Sequence, residues 1–134
     1  MTNPPLITKR QTLGQLLVCL GCCCGRTDKG IAPVPIDWLK AKWKERKLLR
    51  SIQLTISGCL GPCDLANVVC VVTPDQTIWL GGLTTQPQFE GLLDWATESA
   101  AVGQLKPLPD SFAAHRFDRF QTQDECHECL TGVA

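Results

Sequence analysis

The sequence predicts a single α/β domain: a mixed sheet flanked by helices, followed by a C-terminal extension. Three observations lead there. The 134 residues fit one domain and leave little for a second. Hydrophobic residues make up 44% and charged residues 19%, enough apolar material for a core and too much for wholesale disorder. The periodicity then switches between two types along the chain, giving the order strand, helix, strand, strand, strand, helix.

Residues 1–12 are polar and proline-bearing and read as a loose lead-in. Leu16-Leu17-Val18 is a short apolar run ending at Cys19, suited to a buried strand. Gly21 to Pro35 is loop, with Gly25, Gly30, Pro33 and Pro35 breaking any regular pattern. A helix is expected from about Pro35 to Leu49. Proline at its start costs no hydrogen bond, basic residues crowd its last turns, and Ile36, Leu39 and Trp43 form its apolar stripe. Ile52 to Ile56 alternates apolar and polar, as a strand does, before Gly58–Cys63 forms a tight loop. Val68 to Val72 is a β-branched run holding Cys70. Thr73 to Gln76 reads as a turn into the strand Thr77–Leu80. The second helix has the strongest signals: a Thr85/Gln88 capping box, helical spacing of Phe89, Leu92, Leu93, Ala96 and Ala100, and a stop at Gly103. These readings give a lead-in over 1–12, a domain over 13–103 and an extension over 104–134, where Pro107 and Pro109 mark the break.

Thirteen basic and thirteen acidic residues cancel, so whole-chain charge argues for no nucleic-acid partner. No apolar run approaches the roughly 20 residues of a membrane span. The unusual count is cysteine, nine in 134. An export signal before Cys19 is too short and interrupted by Gly14 and Gln15, and an odd number of thiols leaves one unpaired in any all-disulfide scheme. The expectation is a cytoplasmic protein whose reduced thiols serve as ligands.

The cysteines fall at 19, 22, 23 and 24, then at 59, 63 and 70, then at 126 and 129. Cys19 and Cys24, and Cys59 and Cys63, both follow predicted strands at the end where an α/β sheet places its functional loops. If those strands are neighbours, four thiolates converge on one small volume, able to hold a tetrahedral Zn2+ or a [2Fe–2S] cluster. Structural zinc sites usually take two C-x2-C knuckles; Cys19 and Cys22 supply one, but the second loop does not. The wider gaps suit two irons, each claiming a pair of thiolates, with glycines at 25, 58 and 61 letting backbone N–H groups approach sulfur.

Cys19-x4-Cys24, 34 intervening residues, and Cys59-Leu60-Gly61-Pro62-Cys63 together resemble the thioredoxin-like [2Fe–2S] ferredoxins. That family includes the small iron–sulfur subunit of NADH dehydrogenase and standalone ferredoxins. Ser57 to Val69 is similar to the family's second ligand loop, and Trp79 to Leu83 to the strand and turn that follow it. The resemblance covers about residues 14–102. It implies a thioredoxin-like fold and a [2Fe–2S] cluster held by Cys19, Cys24, Cys59 and Cys63. It further implies one-electron carriage between redox partner proteins with no catalysis by the chain alone, and homodimers, since standalone relatives often dimerise. This chain departs from the family in carrying Cys22 and Cys23 between the first two ligands, as alternates to them, and Asn67 where family members often have proline.

Cys70 reads as core. Cys126-x2-Cys129 reads as a tail with two unengaged thiols, as a dithiol, or as half of a second metal site that Cys22, Cys23 or His115 would complete; His115 itself reads as a surface residue. Residues 26–50 carry eight basic and three acidic residues, a net +5 that suits either a solvated helix face or docking to an acidic redox partner. The thiol surplus also supports a reading of another class, a metal-handling or accessory protein for metallocofactor assembly, cobalamin among them. Thiol–disulfide exchange lacks the C-x2-C expected at the first helix's N-terminus.

Overall fold

The computed structural model describes residues 5–121. Its strands and helices are β1 (Gly14–Cys19), α1 (Ile36–Glu45), β2 (Ile52–Ser57), β3 (Val69–Val72), β4 (Thr77–Leu80), α2 (Gln86–Val102) and β5 (Arg116–Phe117). They form one mixed five-stranded sheet in the order β2-β1-β3-β4-β5, with α1 and α2 flanking it. β1 runs parallel to β2 and antiparallel to β3, and the pairings of β3 with β4 and of β4 with β5 are antiparallel.

The core follows from strand alternation. Leu16 and Val18 of β1, Ile52 and Leu54 of β2, Val69 and Val71 of β3, and Ile78 and Leu80 of β4 are all buried in one cluster with Leu39 and Trp43 of α1 and Phe89, Leu92 and Ala96 of α2. Trp43 Nε1 also donates to the Ile52 carbonyl at 2.8 Å, pinning α1 to the start of β2. The opposite side of the sheet carries the row Leu17, Cys70, Trp79, Phe117 across four strands. Cys70 is buried there, as expected of a small hydrophobe, and burial pushes its thiol up to about 11.

One boundary differs from expectation. α1 stops at Glu45, four residues before the predicted Leu49, because Lys47 takes a left-handed backbone (φ 55°) and Leu48 turns inward, its N–H reaching the Trp43 carbonyl. The extension packs as part of the same unit over 104–121. Trp95 Nε1 donates to the Lys106 carbonyl at 2.6 Å, Ser99 Oγ accepts from the Lys106 N–H at 3.0 Å, and Phe112 is buried. α2 itself starts and ends where its signals place it: Gln88 Oε1 accepts from the Thr84 and Thr85 N–H groups, and Gly103 takes the left-handed conformation (φ 72°).

Candidate metal centre

Parallel pairing puts the ends of β1 and β2 side by side, Cys19 opposite Ser57. The loops that leave them, 20–26 and 58–63, therefore start from one edge of the sheet. Leu20 N–H donates to the Ser57 carbonyl and Cys19 N–H to the Val68 carbonyl, both at 3.1 Å, so both loop roots are fixed by backbone bonds.

The first loop buries its ligand candidates. Cys19 and Cys24 are 4% and 1% exposed and share one buried cluster. They pack with Val68 beneath Leu60, Ala66, Trp79 and Phe117. Val68 N–H donates to Cys24 Sγ at 3.3 Å, which favours the thiolate. In the metal-free protein, burial outweighs that bond, and with Cys19 beside it the Cys24 thiol is pushed up to about 12. Gly25 makes the turn out of the loop possible: its φ is 73°, and a Cβ there would lie 2.9 Å from Leu20 Cδ1.

The second loop is open. Cys59 is exposed and Cys63 half-buried, with their sulfurs 3.2 Å apart. The bond between the two sulfurs, with the Gly61 N–H beside it, lowers the Cys59 thiol, while the same bond pushes Cys63 up to about 12. Gly61 takes φ 120°, and the Arg119 guanidinium occupies the space a side chain would need. Arg119 also lies over Trp79 at 5.7 Å and over Phe120 at 5.8 Å, so the extension reaches the second loop.

One residue ties the first loop to the chain that leaves the second. Asn67, 1% exposed, accepts from the Gly25 N–H at 2.7 Å and donates to the carbonyls of Ala32 (3.0 Å) and Leu83 (2.9 Å). Sequence reasoning marked Asn67 only as a departure from proline; its signal was an amide in an otherwise apolar run. His115, expected at the surface, is instead half-buried as a latch between the Gly81 carbonyl (2.8 Å) and Gln88 (3.0 Å).

Cys19 and Cys24 thus form one pair and Cys59 and Cys63 another. Among the described residues, the group whose sulfurs all lie within 4.8 Å of one another is a different one, Cys22, Cys23 and Cys63. Arg26 and Lys29 flank it; Arg26 is held by Asp28 in a two-pronged ion pair (2.7 and 2.8 Å) that lowers the carboxyl to about 2. Cys126 and Cys129 lie outside the described residues. No described helix is long and apolar enough to cross a membrane.

No family model matches the chain, and no curated protein matches it. Two solved structures, both of a thioredoxin-like [2Fe–2S] ferredoxin from Aquifex aeolicus, are similar to it at 16% identity. One, the wild-type protein, covers 81% of this chain and 100% of its own at a TM-score of 0.48; the other covers 84% and 96% at 0.46.

Proposed function

We propose that this chain is a [2Fe–2S] ferredoxin of the thioredoxin-like type, carrying single electrons between redox proteins rather than catalysing a reaction. The observation that carries the reading is the division of four thiols into two pairs rooted on adjacent strand ends. A single ion needs all its ligands within one shell, whereas a two-iron cluster takes them two by two. The donor set fits the group, being sulfur throughout, with the Val68 N–H already aimed at one ligand.

Cys19 and Cys24 would hold one iron and Cys59 and Cys63 the other. The bound cluster would supply a reversible one-electron couple. The chain's own residues do the rest. Leu60, Trp79 and Phe117 keep water from the inner pair, the Val68 N–H stabilises a thiolate, and Asn67 fixes the spacing of the loops. The exposed side at Cys59 is the face through which a redox partner would exchange electrons, with Arg26 and Lys29 suited to an acidic one. Cytoplasmic location and a homodimer complete the proposal; light scattering reads the latter.

The test is an anaerobic visible spectrum of purified protein with iron and acid-labile sulfide assayed on the same sample. Broad bands bleached by dithionite, with about two irons and two sulfides per chain, are expected. A colourless protein after anaerobic supply of iron and sulfide would overturn the reading.

A further inference from the structure

Cys22 and Cys23 have no part in the ligand set above, yet their sulfurs and that of Cys63 lie within 4.8 Å of one another. Thiolates around one Zn2+ at about 2.3 Å stand about 3.8 Å apart, so side-chain adjustments of no more than about 1 Å bring the three to ligand spacing. The loop that presents them is held in place. Gly21 N–H donates to the Cys24 carbonyl (3.2 Å), Arg26 N–H to the Cys23 carbonyl (3.0 Å) and Lys29 Nζ to the Cys22 carbonyl (2.8 Å). Cys22 is exposed and the other two half-buried, so an ion from solvent can reach them. The ammonium of Lys29, bonded to the Cys22 carbonyl, partly offsets the negative charge of three thiolates around a divalent ion.

We infer that Cys22, Cys23 and Cys63 form a second metal site, which takes one Zn2+ in the protein free of its cluster. Binding exchanges the three thiol protons, released to solvent, for three Zn–S bonds. The fourth position falls to Cys59, whose sulfur is 3.2 Å from that of Cys63, or to water. Because Cys63 belongs to both sets, zinc and the cluster exclude each other; that clause alone rests on the proposed function.

The experiment uses the full chain with Cys126→Ser and Cys129→Ser, reduced and cluster-free, titrated anaerobically with Co2+ and then Zn2+. One equivalent of Co2+ is expected, with thiolate-to-metal charge-transfer absorption, displaced by Zn2+. Adding Cys22→Ser and Cys23→Ser should weaken binding by at least about 100-fold, with cooperative thermal unfolding confirming that this variant is folded. Undiminished affinity in that variant, or no stoichiometric binding in its parent, overturns the site. Reconstitution with iron and sulfide separates the two readings: a parent that assembles a cluster but ignores Zn2+ refutes only the zinc site. One that binds Zn2+ through Cys22 and Cys23 but assembles no cluster refutes only the ferredoxin.

Discussion

The two cysteine loops begin at neighbouring strand ends and are built on opposite terms. The first is buried, cross-tied by backbone bonds, and part of an apolar cluster; the second is short, open and holds one fully exposed thiol. The same residue type therefore does two jobs. Cys24 is part of the buried core, whereas Cys59 is exposed. Asn67 makes them one site by tying the first loop to the chain that leaves the second.

Substitution at that joint should break the contrast most severely. Asn67→Ala leaves the Gly25 N–H and the Ala32 and Leu83 carbonyls without their partner, and a loss of about 3–5 kcal/mol is expected in urea unfolding of the cluster-free protein. A loss below about 1 kcal/mol would mean that the loops are positioned independently.

Cys24→Ala against Cys59→Ala sharpens it next. The first removes the acceptor of a buried N–H and should cost about 2–3 kcal/mol, the second less than about 0.5 kcal/mol, again without cluster. Iodoacetamide under native conditions should follow the same order, labelling Cys59 well before Cys19 and Cys24. Equal rates would remove the distinction.

Cys70 serves as the buried thiol outside both loops. Its pKa is raised from 9.0 to about 11, so the folded chain holds a proton that the unfolded chain loses across that interval. Its contribution is complete below pH 9 and falls away as pH rises to 11, by about 2–3 kcal/mol. Cys70→Val should flatten that part of the alkaline limb, measured by urea midpoints at successive pH values; an unchanged limb would contradict the burial account.

A small effect is expected at Arg119. Arg119→Gln gives up an exposed cation–π stack worth about 0.5–1 kcal/mol. In the cluster-loaded protein it also removes a cation beside the second loop, so the reduction potential should move to more negative values in a redox titration.

The sheet was legible because its signals are local. Val68–Val72 and Thr77–Leu80 are short apolar strands with a turn between them, and the cap at Thr85 and stop at Gly103 bracket α2. The convergence of the loops was legible because ligand spacing and strand periodicity both appear in one dimension. What escaped depends on contacts far apart in sequence. β5 is two residues long and exists by pairing with β4; Asn67 and His115 bond to groups 16 to 42 and 27 to 34 residues away. The inward turn at Leu48 likewise answers to the core rather than to helix propensity, which would have carried α1 further.

The place of β1 between β2 and β3 has a consequence during synthesis. The strand that becomes the sheet's interior is made first, and both of its neighbours come later, the second ending at Val72. At ribosomal rates of about 5–20 residues per second, the thiols from Cys19 to Cys24 wait about 2–10 s before both neighbouring strands exist, and longer before Phe117 does. For that interval Cys19 and Cys24, buried in the finished protein, lack that cover, and their reduced state depends on the surroundings of the nascent chain rather than on its fold.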